Sequence, residues 1–432
     1  MDLKRLETSR LFHRFGFGPR PGEFSNALNL GLFSTRKSLL TPVIADAGTA
    51  RVPDLFLRDL GPRPAPKTNE LLPFVAEMRQ QNIDTILWWL DRMALADNAL
   101  IERMTWFWHG HFATSLDKLN YALPMYRQNQ TLRKNALGNF TSLARDLVND
   151  GALQYWLDGS NSTAKSPNEN LAREFMELFV LGVNRYTEDD VKALSRAFTG
   201  YMVVRSNGDC TFNPKRHDTS SVTLLGKTAS FDGNSASDYL VSQDNCAQFI
   251  SERLWFRFAS SSIALPSNSP IKSAFLTRDI GAAINSLATS EAMSNPDYSL
   301  VKTPVEWFIG VCRALNLQPS KLNTPTQLLN HLDKLSQKPF YPPNVGGWPA
   351  DEAWLNAASV QYRIAFGAWL IKQADLSSLQ DSSVIARISA IADLLGVAEF
   401  TSRTYFALAL AKDDPARTLL LAICSPEYIV SV

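Results

Sequence analysis

The chain of 432 residues carries 43 lysine and arginine residues against 42 aspartate and glutamate residues, a net charge of +1, with 45% hydrophobic and 20% charged residues. That balance describes a soluble globular chain and excludes intrinsic disorder. Its near-neutral charge gives no electrostatic footprint for nucleic acid or an anionic membrane surface. No apolar stretch approaches the roughly 20 residues a spanning helix requires, so no membrane span is expected.

The pattern along the chain predicts a mainly α protein, a large irregular multi-helix bundle with one small β-hairpin around 201–213. Residues 4–16 read as a helix that breaks at Gly16-Phe17-Gly18-Pro19, and 22–31 as a short one. A proline-punctuated stretch from Pro42 to Pro73 predicts an extended surface connection. Long amphipathic patterns follow over 72–108 and 126–150. Thr187-Glu188-Asp189-Asp190 reads as a capping box that starts a helix through Phe198. Tyr201–Arg205 and Cys210–Phe212 flank Ser206-Asn207-Gly208-Asp209, the signal for a hairpin with an Asn-Gly turn. Helices are expected again at 236–258, 272–292, 304–315, 324–336, 357–377, 382–396 and 402–424. These elements group into three expected units: N-terminal helices with the Pro-rich connection over 1–70, a central helical core over 71–260, and a C-terminal helical lobe over 261–432.

The N-terminus lacks the apolar segment and cleavage site of a signal peptide. That predicts a cytoplasmic chain, or a periplasmic or secreted one if it has been trimmed. Cys210, Cys246, Cys312 and Cys424 are scattered without a CxxC, which argues against a zinc ribbon or a thioredoxin-like site and for buried free thiols. An oxidising compartment would allow a Cys210–Cys246 bridge.

The densest chemistry lies in Asn168-Glu169-Asn170-Leu171-Ala172-Arg173-Glu174-Phe175-Met176-Glu177-Leu178-Phe179. Leu171, Phe175, Leu178 and Phe179 recur at helical spacing and should face a core. Beside them Glu169, Arg173 and Glu177 are spaced i, i+4, i+8, an expected ion-pair ladder. Glu174 and Glu177 share a face and could both reach one cation. The competing reading is a solvated, salt-bridged surface.

Histidine is scarce, with five in the chain. His109-Gly110-His111 becomes a chelating pair only if Gly110 ends a helix between them, because positions two apart on a continuous helix point to nearly opposite sides. His217-Asp218 pairs an imidazole with a carboxylate that can orient it, unless both face solvent. His13 and His331 read as helix-surface residues. Pro339 to Pro349 form a stiff loop in which Gly346-Gly347 permit a tight turn at Trp348. Trp348 either stacks on an apolar ligand face or plugs the core, and the plug is favoured. No Gly-x-Ser-x-Gly elbow and no P-loop appear, so neither nucleophilic serine chemistry nor a nucleotide cofactor is expected.

The block from Asn168 to Phe179, continued by Leu181-Gly182-Val183, Tyr186–Val191 and Ala197-Phe198-Thr199-Gly200, resembles the central signature of the domain-of-unknown-function 1800 family. Arg14–Pro19, His109–Phe112, His217-Asp218, Pro342–Pro349 and Ser425–Tyr428 extend the resemblance along nearly the whole chain. It implies an uncharacterised bacterial protein, often exported and often encoded beside a sulfatase-like partner. Taken with that resemblance, His109, His111, Glu174, Glu177 and His217 form a mixed imidazole and carboxylate set suited to zinc, iron or manganese. The resulting expectation is a divalent-metal-dependent hydrolase or group transferase acting on a glycan, sulfate or phosphate ester. Glu169, Asp218 and Arg173 would be its catalytic side chains, and Asn168, Asn170 and Trp348 its substrate contacts. The alternatives are a noncatalytic binding or assembly protein working with the sulfatase-like partner, and an iron-dependent oxidoreductase.

Overall fold

The computed structural model describes residues 2–431 apart from 44, 381 and 382. Helices dominate the described chain, accompanied by three two-stranded antiparallel pairs. The mainly α expectation holds, and the hairpin forms where its turn signal lies. Tyr201–Val204 pairs with Asp209–Phe212, with Tyr201 opposite Phe212, and Gly208 takes the positive φ that such a turn needs. A second hairpin, Val222–Leu224 with Lys227–Ala229, lies in a stretch that reads as loop. Its turn places both Leu225 and Gly226 at positive φ, but its strands are too short to show an alternating pattern. The third pair joins Leu300–Val301 to Val430–Ser431, near the end of the chain.

Several long patterns are split by side chains that cap a new helix. The pattern over 72–108 forms two helices, Leu71–Leu95 and Leu100–His111. Between them Asn98 accepts a hydrogen bond from the Leu100 amide and donates to the carbonyls of Ser38, Leu39 and Thr41. The pattern over 126–150 divides into Ala122–Lys134 and Phe140–Val148, where Asn139 caps the second helix. That over 402–424 divides ahead of Pro415, where Asp414 caps Pro415–Ile423. Ser382, the expected start of the helix over 382–396, lies outside the described residues; the helix itself runs Val384–Leu395. The capping box at Thr187 and Asp190 forms as its spacing predicts. All four cysteines are free. Among the described residues no helix is long and apolar enough to cross a membrane.

Two large cores meet at the helix Leu100–His111. Met104, Phe107 and Trp108 enter a core with Phe15, Phe175, Phe179, Leu254 and Phe258. Trp106 enters the other, with Trp89, Trp307, Phe340, Trp348 and Phe366. A helix apolar on all sides must be buried on all sides, so its polar residues need partners inside the protein. Glu102 finds them: it accepts hydrogen bonds from Trp89 Nε1 at 3.0 Å, Arg92 Nε at 2.9 Å and Arg133 Nε and Nη2, both at 2.9 Å. Those two arginines hold its carboxyl below the usual range despite burial, which pushes the other way.

Removing a carboxylate from such a cluster leaves buried guanidinium groups unpaired. Glu102→Ala is therefore expected to destabilise the protein by about 3–5 kcal/mol. Glu188→Ala, which breaks an exposed pair with Arg173, should change stability far less. Urea denaturation of both variants checks the contrast.

Candidate anion-binding cleft

The helix Glu169–Glu174 passes without a break into a π-helical turn, Phe175–Val180. The wider turn rotates the following side chains out of α-helical register, and the expected ladder ends there. Arg173 pairs with Glu169 at 3.4 Å and makes two 2.7 Å bonds to Glu188. Glu177 instead accepts a hydrogen bond from the Tyr186 hydroxyl. Glu174 is half-buried with no hydrogen bond or ion pair among the described residues; burial, then the Glu177 charge, raises its carboxyl above the usual range. The asparagines are structural anchors. Asn168 caps the helix by accepting from the Asn170 amide at 2.8 Å, and Asn170 Nδ2 donates to the Leu157 carbonyl at 3.3 Å.

The three histidines of the expected ligand set make their hydrogen bonds to three different segments. The helix continues through His111 instead of ending at Gly110, so the two imidazoles leave it on different sides. His109, 1% exposed, packs among Trp89, Phe340 and Trp348, and its Nε2 accepts the Phe340 N–H at 3.2 Å. His111, 3% exposed, packs against Phe179 and Phe249. Its Nε2 lies 2.9 Å from the Phe179 carbonyl oxygen. The carbonyl requires a proton on that nitrogen, which leaves Nδ1 a bare acceptor, buried without a partner. His217 Nδ1 faces the Thr199 hydroxyl at 3.2 Å and carbonyl at 3.1 Å. Asp218 turns away from it to Arg196 Nε at 2.7 Å, and that guanidinium holds its carboxyl well below the usual range. Four of the five proposed metal ligands are thus committed to different partners, and Glu174 has none among the described residues. Among the described residues no group of three or more His, Cys, Asp or Glu side chains is arranged to hold a metal ion. His13 is buried against the Leu395 carbonyl and His331 stacks on Phe366, so neither is the surface residue its helical position suggests.

Trp348 is the expected plug. It is 5% exposed and stacks on Trp106 with ring centroids 4.9 Å apart. Gly347 beside it has φ +81°, and a Cβ there would run into the Gly110 carbonyl oxygen, so only glycine lets the loop close this tightly on the helix.

Where that loop closes, a cleft remains that the sequence reading does not anticipate. One chamber is lined by Arg14, Lys302 and Asp351, the other by Trp106, Gly110 and Trp348, and both by Arg103, Arg257, Thr303 and Glu306. Three sequence-distant motifs therefore meet here: Arg14-Phe15-Gly16, His109-Gly110-His111 and Gly346-Gly347-Trp348. Basic groups outnumber acidic ones on these walls. Arg14 is satisfied by the carbonyls of Ala259, Ala292, Tyr298 and Ser431. Arg103 donates to the Arg14 carbonyl at 3.0 Å and pairs with Glu306, which also caps the helix Pro304–Ala314 through the Thr303 amide at 3.0 Å. Arg257 makes a single bond, to the Trp348 carbonyl at 2.9 Å. Arg253, one turn earlier on the helix Asp244–Phe258, makes no hydrogen bond or ion pair among the described residues, and its Nε is buried without a partner. Burial, then the Arg253 charge, lowers the Arg257 guanidinium to about 10. The Arg253 charge also reaches His111. A basic pair at i, i+4 in Arg253-Leu254-Trp255-Phe256-Arg257-Phe258 was the available signal, since it sets two like charges on one face of an aromatic-rich helix.

Burial lowers both His109 and His111 to about 3. Each is neutral when folded and protonates below its ordinary value of 6.5 when unfolded. The unfolded state then binds more protons, so stability falls as pH drops from 6.5 towards 3, by about 1.4 kcal/mol per pH unit for each histidine. His109→Gln, which keeps an acceptor for the Phe340 amide, is expected to reduce that slope by about 1.4 kcal/mol per pH unit. Urea melts across the acidic range measure it.

No curated protein and no solved structure matches the chain. A family model described as "Protein of unknown function (DUF1800)" matches residues 10–430. That match spans the signature helix, the glycine loops and the cleft walls alike, and the chain belongs to the DUF1800 family.

Proposed function

We propose that the protein recognises a compact oxyanion, the carboxylate, phosphate or sulfate group of its ligand, at the cleft that Arg257 and Arg103 line, with Arg253 one turn away on the Arg257 helix. The observation that carries this reading is the pair Arg253 and Arg257. They are adjacent on one helix, half-buried, and neither forms an ion pair with a carboxylate among the described residues. An unpaired buried charge is destabilising by several kcal/mol, and a like charge one turn away adds repulsion. An oxyanion offsets both, because a guanidinium fork matches its geometry with two parallel hydrogen bonds. Arg257 has donors to spare after its one bond to Trp348, and Glu306 keeps Arg103 oriented.

Guanidinium groups here supply the positive charge that the expected divalent ion would have supplied. The donor side chains put forward for a metal do not fit one, so ligand recognition is favoured over metal-dependent hydrolysis. Sulfate and phosphate esters remain within the ligand class, in keeping with the sulfatase-like companion that the family resemblance implies.

Calorimetric titration and thermal melts of the full chain with sodium sulfate and sodium phosphate, at ionic strength balanced with sodium chloride, test the reading. The wild type should titrate with a saturating heat and gain stability with the logarithm of anion concentration, by about 2.7 kcal/mol at a hundredfold excess over Kd. Arg253→Met should melt at or above the wild type without anion and lose the response. A response retained in both Arg253→Met and Arg257→Met would overturn the proposal. So would an Arg253→Met variant destabilised as a partnered arginine would be.

A further inference from the structure

We infer that Lys302 is a carbonyl-condensing lysine, whose amine forms an imine with a 2-oxo acid held by its carboxylate on the arginines of the same chamber. This deepens the oxyanion reading and rests on it. Lys302 is 6% exposed yet lines the chamber with Arg103, Arg257 and Glu306. Its backbone is fixed on both sides: Leu300–Val301 pairs with the C-terminal strand, the Lys302 amide donates to the Ile429 carbonyl at 2.9 Å, and Thr303 caps the next helix. The side chain folds over the Tyr428 ring, with Nζ 3.9 Å from its centroid, and donates to the Tyr428 carbonyl. No carboxylate lies within ion-pair distance among the described residues, because Glu306 is held by Arg103 and the Thr303 amide.

A buried lysine with a carbonyl acceptor and no counter-ion is a nucleophile in waiting, since deprotonation removes the charge that burial penalises. Burial lowers its ammonium to about 7, against a weaker opposing pull from Glu306. Other groups on the chamber wall are cationic or, like His13, neutral, with Glu306 and Asp351 as its acids. A plain ester would have no use for a free amine beside the guanidinium groups. A 2-oxo acid uses both. The Nζ lone pair attacks the keto carbon, a C–N bond forms, and the carbonyl oxygen leaves as water with the two amine protons. No oxidant or reductant is consumed.

The experiment incubates the full chain with glyoxylate and sodium cyanoborohydride, which reduces the imine to a stable secondary amine. Intact mass and peptide mapping then count and locate the adducts. One carboxymethyl group per chain is expected on Lys302, formed about tenfold or more faster than on exposed lysines, as its larger free-amine fraction requires, and slowed by competing phosphate. Lys302→Met should lose the fast adduct while keeping the stability gain with sulfate; circular dichroism monitors its folding. Should that variant not fold, adduct mapping on the wild type decides alone. Sulfate binding without a fast adduct at Lys302 overturns this inference only. Absence of both overturns the oxyanion reading as well.

Discussion

Guanidinium groups taken out of water hold the centre of this molecule together, and each of them needs oxygen acceptors. Arg14 gathers four carbonyls from Ala259, Ala292, Tyr298 and Ser431, and so ties the first helix to the last strand. Arg313 does the same for the glycine loop and the end of the long second-core helix, through Gly18, Ala94 and Ala96. Arg278 holds the turn after Val241 by that carbonyl and Gln243. Carbonyl acceptors satisfy hydrogen-bonding capacity but carry no full charge, so the buried interior stays positive. Among the described residues Arg253 meets no such carbonyl and Arg257 only that of Trp348, and the proposed oxyanion site rests on that shortfall.

The helix Leu100–His111 translates that constraint into geometry. Its faces enter two cores, and its charged and imidazole side chains are fixed by partners from other segments: Glu102 by two arginines, Arg103 by Glu306, His109 by the Phe340 amide and His111 by the Phe179 carbonyl. The π turn at Phe175–Val180 belongs to the same arrangement, because it places the carbonyl that His111 holds. The most distinctive block of the chain therefore supports the cleft from behind. Its Arg173 and Glu169 make ordinary surface pairs, while its backbone orients the His111 imidazole.

Much of the fold was legible in local signals. The Asn207-Gly208 turn, the Thr187 capping box and the helical stripes formed as expected, since each depends on residues a few positions apart. Asn98 shows where such reading runs short: its amide meets the carbonyls of Ser38, Leu39 and Thr41 and thereby divides one apolar pattern into two helices. The candidate site was less legible. His109, His111, Glu174, Glu177 and His217 have the right chemistry for a ligand set, but a continuous helix at Gly110 and a π turn after Glu174 set their directions. Neither the persistence of the one nor the extra residue in the other shows in a pattern of apolar positions.

Sequence alone determined the helical class, the hairpin, the caps and the family, because these rest on spacing and on residue types that carry their own chemistry. Only the tertiary structure decided which charges are met. The acceptors that neutralise no charge yet satisfy Arg14 are main-chain oxygens between 245 and 417 residues away. Every residue has such an oxygen, so nothing in the order of side chains shows which arginines will find them and which, like Arg253 among the described residues, will not.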